Sequence, residues 1–398
     1  MMSPEKYYLN RLNRFLAFDT ASGLITCEAG VTIGEILDVC VPQGWFPFVT
    51  PGTARATVGG CLACDVHGKN HHVSGSFSQY VVNATLILAN GELVTCGVDQ
   101  HSELFWATCG GMGLTGIILD VTLRLQRIET ASIVARNIMT RDLEETFRKM
   151  DETADATYSV VWLDGVGRDA HLGRGVLMLG EHAKLPDLPV ERRTAPLATK
   201  VRSAHSLPFG LPGAFVAPPV VSMFNNAIYR RYGALGSEPT LVEVDKYFYP
   251  LDTLDNWNKL LGPRGFFEYQ VLLPSHRAFD NIKQMLEMLA DAGMASFFTS
   301  VKQLGPGSPG HLSFPAPGYA FSFDLPAGNK AVLPLLDRCD EITIAAGGRV
   351  YLAKDARLPA GAFARMYPRL AEWRAIANRY DPAHALVSSM SHRLELTS

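Results

Sequence analysis

Apolar and polar residues alternate along the first part of the chain in the pattern of short β-strands. Residues 14–31 contain two such runs around a turn, and residues 81–88 form a third run rich in β-branched side chains. Asn90 and Gly91 then supply the residue pair that favours a tight hairpin. A further strand is predicted over residues 117–125. The pattern therefore predicts a β-rich first section.

Two helices are predicted among these strands. Thr32 is followed three residues later by Glu35, which is the spacing of a capping box, and this predicts a helix over residues 33–42. A shorter helix is predicted over residues 103–108.

The alternation breaks down at residues 51–76, PGTARATVGGCLACDVHGKNHHVSGS. Glycines and hydroxyl side chains are dense here, and an interior glycine costs a helix or strand roughly 0.5–1 kcal/mol relative to alanine. Such a composition suits a backbone that approaches a large polar ligand closely and donates N–H groups to it. A second glycine run, GGMGLTG at residues 110–116, lacks the flanking strand and long helix of a Rossmann fingerprint.

The character of the chain changes after Arg127, where strands and helices alternate with long, proline-rich connections. Residues 277–293 have the apolar spacing of an amphipathic helix. The predicted strands cover residues 160–165, 242–251, 266–274, 297–305 and 319–326. This section is therefore expected to be an α+β domain with one large sheet.

Residues 207–224 are apolar, but prolines and glycines interrupt them, which excludes a membrane-spanning helix. Two interpretations remain open: a proline-kinked loop that covers the core, or a loop that contacts lipid or roofs an apolar substrate tunnel. The last section is expected to return to regular structure, with a strand over residues 347–357 and helices over residues 360–367 and 369–379.

Composition sets limits on the class of protein. A chain of 398 residues is too long for one compact core, so two domains are expected. A net charge of −3 gives no support for nucleic-acid binding. The seven cysteines are odd in number and form no regular framework, which favours a reducing compartment. Neither a signal peptide nor a run of about 18 apolar residues is found, so a cytoplasmic protein is expected.

Cys61 and Cys64 form the one C-x-x-C pair of the sequence. A zinc site would need a second ligand pair at suitable spacing, and none is evident. We therefore expect two small residues on a buried helical turn, and no metal site.

Three long motifs, in this order, carry a resemblance to a known family. They are PGTxxxTVGGxxAxDxHGKNHHxxGSF from residue 51, ELFWATxGGMGLTGII from residue 103 and YLAKDAR from residue 351. Through them the chain resembles the FAD-dependent decaprenylphosphoryl-β-D-ribose 2′-oxidases, which belong to the vanillyl-alcohol-oxidase superfamily. The resemblance runs from about residue 11 to the end of the sequence.

That resemblance implies an α+β fold in three sections. A PCMH-type FAD-binding domain would occupy residues 1–128, and a substrate domain built on a large antiparallel sheet would occupy residues 129–346. Residues 347–398 would return to the FAD-binding domain.

The resemblance also implies an activity. The chain would use noncovalent FAD to oxidise a lipid-linked ribose at its 2′ carbon, and a short-chain reductase partner would convert the keto sugar to the arabinose epimer used for cell-wall arabinan. Because the substrate is a lipid phosphate, peripheral contact with the inner membrane surface is implied.

Site residues follow from the same motifs. Positions that match the family's FAD contacts are Gly52, Thr53, Thr57, Val58, Gly59, Gly60, Cys64, His67, Gly68, Lys69, Asn70, Ile118, Tyr351 and Lys354. Positions that match its sugar-phosphate pocket are Lys69, Gln270, Lys302 and Ser322. Lys354 is expected to be the cation near the flavin and the substrate hydroxyl, and His67 a catalytic polar contact to cofactor or substrate.

Structural alternatives stay open for these side chains. His67 could be an ordinary hydrogen-bonding histidine. Lys354 could pair with Asp355 on a solvated surface, although strand alternation would place these neighbours on opposite faces. Gln270 and Lys302 could be solvent-facing strand residues.

Three positions depart from the family pattern. Ser322 stands where the family has a reactive cysteine, so covalent inhibition through a thiol is expected to fail. Ala320 replaces an asparagine, which removes a polar contact. Glu268 replaces a glutamine, and a carboxylate near a phosphate pocket is unfavourable unless it is paired.

A fourth departure lies at the start of the sequence, where the family's first phosphate-binding lobe has no counterpart. Weaker FAD binding is the expectation. Two further interpretations remain open: a non-catalytic partner protein of the same fold, and a flavoenzyme that oxidises another sugar or alcohol.

Overall fold

The computed structural model describes residues 11–199, 205–206, 217–256, 259 and 264–397. The strands are β1 (Phe15–Asp19), β2 (Leu24–Glu28), β3 (Trp45–Pro47), β4 (Val81–Ile87), β5 (Leu93–Gly97), β6 (Ile117–Arg127), β7 (Ser132–Thr140), β8 (Tyr158–Leu163), β9 (Gly175–His182), β10 (His205–Ser206), β11 (Thr240–Glu243), β12 (Leu254–Asp255), β13 (Phe266–Pro274), β14 (Thr299–Leu304), β15 (Gly318–Pro326) and β16 (Arg349–Val350).

The helices are α1 (Ile33–Cys40), α2 (Val58–Ala63), α3 (His71–Ser74), α4 (Ser102–Thr108), α5 (Leu143–Glu152), α6 (Pro218–Leu235), α7 (Val244–Phe248), α8 (Ser275–Asp291), α9 (Val332–Ala345), α10 (Ala360–Met366), α11 (Leu370–Tyr380) and α12 (Ser389–Leu394). Among the described residues, no helix is both long and apolar enough to cross a membrane.

The first sheet confirms the strands expected in the first section. Within the described residues it has six strands, in the order β1-β2-β6-β4-β5, and β3 pairs separately with β6. Its hairpins form where the sequence predicts them, since Gly23 and Gly91 adopt the positive φ that tight turns need. The predicted capping box also forms, because the Glu35 amide donates to the Thr32 hydroxyl and the Thr32 amide donates to the Glu35 carboxylate.

The second sheet is the large antiparallel sheet expected for the inserted section. Its described strands run in the order β11-β7-β9-β8-β14-β15-β13-β16, and every pairing in it is antiparallel. One face is apolar and packs on helices α5, α8 and α9, through side chains such as Val301, Phe321 and Val271. Strand alternation therefore turns the residues between them toward the first sheet's half of the molecule.

The last section packs on both halves. Strand β16 pairs with β13 at the edge of the large sheet, and α10 packs on α9. Helix α11 instead reaches the first half, where the Trp373 indole donates to the Ala107 carbonyl at 2.9 Å and Arg379 pairs with Glu103. Residues 347–397 thus connect the large sheet to the first half.

Two secondary-structure predictions were wrong in part. Residues 242–251 were expected to be a strand, but only β11 is extended and α7 follows it. Val244, Tyr247 and Phe248 are buried there at helical spacing, so packing overrides their strand propensity. Residues 347–357 also shorten to the two-residue strand β16, followed by a 3₁₀ turn over Leu352–Lys354.

The structure describes only the second part of the proline-rich segment 207–224. Residues 207–216, on which both interpretations of the loop depend, lie outside the described residues. Residues 218–224 were expected to be loop but begin helix α6, with Pro218 and Pro219 in its first turn. Proline is compatible with that position because the first amides of a helix have no intrahelical acceptor.

Candidate active site

A cavity of about 310 Å³ opens beside the glycine-rich stretch. Its walls come from three segments: the turn after β2, helix α2 with its N-cap Thr57, and the loop before β6 with the first two residues of that strand. The lining residues are Ala29, Gly30, Thr57, Gly59, Gly60, Ala63, Gly113, Gly116, Ile117 and Ile118. Four of the predicted cofactor residues, Thr57, Gly59, Gly60 and Ile118, therefore line the same cavity.

Helix α2 contributes to the cavity lining, and a hydrogen bond caps its amino end. The Thr57 hydroxyl accepts a hydrogen bond from the Gly60 amide at 3.2 Å, which caps the helix. Gly59 packs directly on Ala29, where an added Cβ atom would come within 2.8 Å of the Ala29 Cβ atom. Glycine at this position thus allows α2 to lie against the turn after β2.

The other ten predicted cofactor residues are not among those that line the cavity, and three of them lie in the first part of the glycine-rich stretch. Val58 is fully buried in the core of the first half. Gly52 is exposed, and the Thr53 hydroxyl donates to the Asp252 carboxylate at 2.8 Å. The beginning of the glycine-rich stretch thus contacts the inserted section.

The cavity fits a dinucleotide on the evidence of its lining. The ten lining residues are glycine, alanine, isoleucine or threonine, and none of them carries an acidic group that would repel a phosphate. An added Cβ atom at Gly60 would come within 3.1 Å of the Thr57 hydroxyl oxygen, so a larger residue would crowd the wall. Thr57, Gly59, Gly60 and Ile118 are the residues that would hold FAD here.

His67 lies beyond the end of α2, where the two halves meet. Its ring packs 5.3 Å from the Phe314 ring and 5.2 Å from the Tyr351 ring, measured between centroids. The Gln270 Nε2 atom lies 2.8 Å from the His67 Nε2 atom. The structure therefore brings the predicted residues His67, Gln270 and Tyr351 into contact.

His67 is held in its neutral form. Burial lowers the pKa of His67 well below its usual value, and the positive charge of Lys302 adds to the effect. With the Gln270 amide nitrogen as donor, the His67 Nε2 atom accepts and the Nδ1 atom carries the proton. That Nδ1 atom is buried and has no hydrogen-bond partner among the described residues. A bound group could supply the missing acceptor.

The large sheet presents polar side chains to this region in rows. Gln270 on β13, Ser322 on β15 and Ser300 on β14 lie side by side in the antiparallel register, and the two hydroxyl oxygens are 2.8 Å apart. The next row on one side pairs Glu268 with Asp324. The next row on the other side places Lys302 opposite Ala320, which in turn faces Leu272.

Lys354 contacts the row formed by Glu268 and Asp324. Its Nζ atom lies 2.7 Å from the Glu268 Oε2 atom, and both side chains are about one-third exposed. Asp355 points elsewhere and pairs with Arg393 at 2.8 Å, so the alternative Lys354–Asp355 pair does not form. The unfavourable carboxylate expected at Glu268 is therefore compensated by the predicted catalytic lysine.

Two further lysines face the site without a carboxylate partner in the described part of the chain. Burial lowers the pKa of Lys69 to about 7, and the nearby charge of Lys302 contributes. Burial and the charge of Lys354 lower the pKa of Lys302 to about 8. The Lys69 Nζ atom donates to the Tyr247 carbonyl and lies 4.2 Å from the centroid of the Tyr247 ring.

The other residues of the HGKNHH motif position the segment rather than extend into the site. The Asn70 amide donates to the Phe48 carbonyl at 2.7 Å, and an added Cβ atom at Gly68 would come within 2.9 Å of the Thr50 carbonyl. The Gly305 amide donates to the His71 Nδ1 atom at 3.1 Å. The His72 Nε2 atom lies 2.8 Å from the Ala156 carbonyl.

Asp65 anchors the same stretch through three hydrogen bonds. Its carboxylate accepts hydrogen bonds from the Ser308 and Ser313 hydroxyls, both at 2.5 Å, and from the Ser78 amide at 3.1 Å. It is fully buried and has a φ of 41°. The sequence patterns did not predict that Asp65 stabilises the site.

The C-x-x-C pair lies where a buried helical turn was expected. Cys61 is in α2, Cys64 follows it, and both are free thiols. Burial raises the pKa of the Cys64 thiol to about 11. The Cys64 carbonyl accepts from the Tyr351 hydroxyl at 3.2 Å, which links α2 to the chain after β16.

Sequence reasoning missed Asp324, Ser300 and Trp162, which all lie on the polar face of the large sheet. Strand alternation could have identified Asp324 and Ser300, because they share parity with Ser322 and Lys302. Trp162 stands opposite Ser300 in the register of β8 and β14. This pairing depends on which strands are neighbours, which no local pattern reveals.

Comparison with known proteins identifies relatives of the whole chain. A family model described as an FAD binding domain matches residues 8–97. The decaprenylphosphoryl-β-D-ribose oxidase of Mycolicibacterium smegmatis is 37% identical over 397 residues, which cover 97% of this chain and 84% of that protein. An uncharacterised protein encoded in the mprA 5′ region of Streptomyces coelicolor is 33% identical over 379 residues, which cover 92% of this chain and 100% of that protein.

A solved structure shares the architecture. The xylooligosaccharide oxidase from Myceliophthora thermophila C1, in complex with xylobiose, superimposes with a TM-score of 0.66 over 96% of this chain and 80% of that one. At 15% sequence identity this likeness concerns the fold. It confirms the expected α+β fold with a large antiparallel sheet.

Proposed function

Since the chain belongs to the decaprenylphosphoryl-β-D-ribose oxidase family of FAD-dependent oxidoreductases, we propose that it oxidises the 2′-hydroxyl of a polyprenyl-phosphate-linked ribose to a 2′-keto sugar. The observation that carries the proposal is the gathering of His67, Lys302 and Lys354 at one face of the large sheet. His67 follows helix α2, whose residues line the cavity.

FAD supplies the electron-accepting chemistry when it is bound in the cavity. The chain must then bind the alcohol, orient it and control the removal of its hydroxyl proton. The Lys354 ammonium is a donor that can hold the substrate hydroxyl. His67 is neutral and buried, so it can exchange a hydrogen bond with that hydroxyl or with the cofactor without the desolvation cost of a charged imidazole.

Lys69 and Lys302 supply the anion-binding end of the site. Both lysines are partly buried, and the charge of Lys302 reaches Lys69. Neither forms an ion pair with a carboxylate among the described residues. A phosphate between them would relieve their mutual repulsion and raise both pKa values toward the usual value for lysine. This arrangement favours a substrate with a phosphate group close to the sugar.

Gln270, Ser322 and Ser300 form the floor on which the sugar would lie. Their amide and hydroxyl groups can each donate and accept, which suits a polyhydroxylated ring. Ala320 provides no polar contact in the adjacent row, and this observation favours a second candidate, the oxidation of a related sugar whose hydroxyls differ from those of ribose.

The proposed product needs a partner. A 2′-keto sugar becomes an arabinose epimer only after reduction, so a short-chain reductase that acts on the same lipid phosphate would complete the conversion toward cell-wall arabinan. A lipid substrate would also bring the protein to the inner membrane surface from the cytoplasm.

The experiment is an anaerobic titration of the FAD-loaded protein. Polyprenylphosphoryl ribose should bleach the oxidised flavin band at about 450 nm, and mass spectrometry should find a product lighter by two hydrogen atoms. Lys354→Met should slow bleaching at least about a hundredfold, on the scale of a lost charged contact in the transition state. The exposed Lys330→Met is the matched control and should behave as wild type.

Each other outcome has a definite meaning. Bleaching by a different sugar alone would replace ribose with that sugar. Bleaching by no member of a panel of lipid-linked and soluble sugars, with flavin bound, would overturn the proposal. A protein that takes up no FAD would favour the non-catalytic partner.

A further inference from the structure

Glu268 occupies a position in the site that the family pattern does not explain. It lies on β13 directly opposite Asp324 on β15, and both project from the polar face of the large sheet. The Gln270 side chain, two residues on, contacts His67. Glu268 is therefore part of the surface that would meet the substrate.

The contact with Lys354 is close and partly enclosed. The Lys354 Nζ atom and the Glu268 Oε2 atom are 2.7 Å apart, which is the length of a charge-assisted hydrogen bond. About two-thirds of each side chain is buried. Lys354 lies in the short 3₁₀ turn after β16, so its long side chain depends on this contact for a fixed position.

Other titratable groups surround the Glu268–Lys354 pair and interact with it. The titratable groups that face it are Lys302 from β14, Asp324 from β15 and His67 from the loop after α2. Glu268 raises the pKa of Lys302, while Lys354 lowers it. Burial, and then Glu268, raise the pKa of Asp324 well above its usual value. Glu268 thus interacts with Lys354, Lys302 and Asp324.

We propose that Glu268 is a positioning residue, which holds the Lys354 ammonium against the reacting hydroxyl and offsets its charge so that the substrate anion binds at Lys69 and Lys302. This inference rests on the proposed function for its reaction. It adds an orientation of the substrate: the phosphate lies toward Lys302, and the hydroxyl that is oxidised lies toward the Glu268–Lys354 pair.

This orientation follows from charge. A phosphate beside Lys354 would lie next to the Glu268 carboxylate and would be repelled. A phosphate beside Lys302 and Lys69 would instead contact two cations, two rows of the sheet away from the Glu268–Asp324 row. A sugar hydroxyl is neutral and can accept from the Lys354 ammonium while Glu268 holds that ammonium from the other side.

Glu268→Gln tests the proposal, because it keeps the shape of the side chain and removes its charge. The rate of flavin reduction at saturating substrate should fall about tenfold, on the scale of a weakened charged contact. At pH 6, where Lys302 stays protonated in both proteins, the KM for the phosphate-bearing substrate should stay level or fall, because a negative charge near an anion has been removed. A merely structural role would instead lower the rate and raise KM together.

A second measurement needs no substrate. Competitive acylation, read by mass spectrometry across pH 6 to 10 on the FAD-loaded protein, reports the protonation of individual lysines. In Glu268→Gln the midpoint for Lys302 should move below about 8, by about half a pH unit or more, since the charge that raises its pKa is gone. Glu341→Gln is the matched control, because it breaks an exposed pair with Arg365 and should leave this midpoint unchanged.

Glu268→Asp keeps the charge but shortens the side chain. The Lys302 midpoint should remain near that of wild type, while the rate of flavin reduction still falls, because the ammonium is drawn away from its position. This variant also serves if Glu268→Gln does not fold.

The inference is overturned if Glu268→Gln leaves the Lys302 midpoint and the rate unchanged, or if it raises KM in proportion to the loss of rate. Failure of the proposed function would look different. In that case no lipid-linked sugar would bleach the flavin of the wild-type protein, while the acylation midpoint would still respond to Glu268→Gln.

Discussion

The Ser313 hydroxyl donates to the Asp65 carboxylate at 2.5 Å and thereby joins the glycine-rich stretch to the inserted section, across 248 positions of sequence. The Ser308 hydroxyl makes the same contact with the same oxygen. The backbone of the site is thus fixed at its base by one buried carboxylate.

Asp65→Asn should lower the free energy of unfolding by about 1–3 kcal/mol, the cost of leaving buried donors without a good acceptor. Asparagine tolerates the positive φ at this position, so the change reports the hydrogen bonds rather than backbone strain. Urea denaturation of the cofactor-free protein measures it. The exposed Asp99→Asn is the control and should change stability by less than about 0.5 kcal/mol. Equal stabilities of the two variants would contradict the assigned role.

Gly60→Leu should weaken FAD binding about tenfold or more, because the new side chain occupies the cavity wall, and overpacking of this kind costs about 1–3 kcal/mol. Flavin fluorescence during titration of the apoprotein measures the affinity. Gly361→Leu introduces the same residue on helix α10, where nothing lies within 4 Å of the new Cβ atom. If both variants bind FAD like wild type, the cavity is not the cofactor site.

The affinity for a phosphate-bearing substrate should fall as pH rises from 6 to 9. A lysine is charged below its pKa and neutral above it, so anion binding is lost through about 7 for Lys69 and about 8 for Lys302. KM should therefore increase across this range. A neutral alkyl riboside should show no such trend.

Lys302→Gln isolates one of these two groups. At pH 6.5 it should raise the KM for the phosphate-bearing substrate about tenfold, on the scale of a lost charged hydrogen bond. The remaining pH dependence should then follow Lys69 alone. A KM that does not respond to pH in the wild-type protein would count against the anion site.

Ser322→Cys should create a thiol at the site that reacts with iodoacetamide. The background should be low, because six of the seven native cysteines are buried and burial raises the pKa of Cys64, the remaining one, to about 11. Peptide mapping should find label at position 322 in the variant and none there in the wild type. Bound substrate should slow the labelling, and labelling at equal rate with and without substrate would place position 322 outside the pocket.

Local sequence patterns predict much of this fold for clear physical reasons. Turns such as that at Gly91 and the capping box at Thr32 depend on a few neighbouring residues, so short-range rules suffice. The glycine cavity follows in the same way from the density of small residues in one stretch. The strand prediction for residues 244–248 is wrong because their burial against the first half selects a helix for a sequence that favours a strand.

The site itself needed information that no local pattern contains. The pairing of Lys354 with Glu268 joins positions 86 residues apart, and the local sequence around one residue does not indicate the other. The resemblance to the family indicated Lys354 but treated Glu268 only as a departure. Only the order of β13 and β16 in the large sheet explains why the two compensate each other.

The hydrogen bond between Tyr351 and Cys64 has a consequence for synthesis of the protein. These residues are 287 positions apart, so at about 5–20 residues per second the ribosome needs roughly 15–60 s between them. Throughout that interval the glycine-rich stretch has emerged without the segment that completes it. We expect cofactor capture to follow translation of the last section, so nascent chains arrested before Tyr351 should retain no flavin.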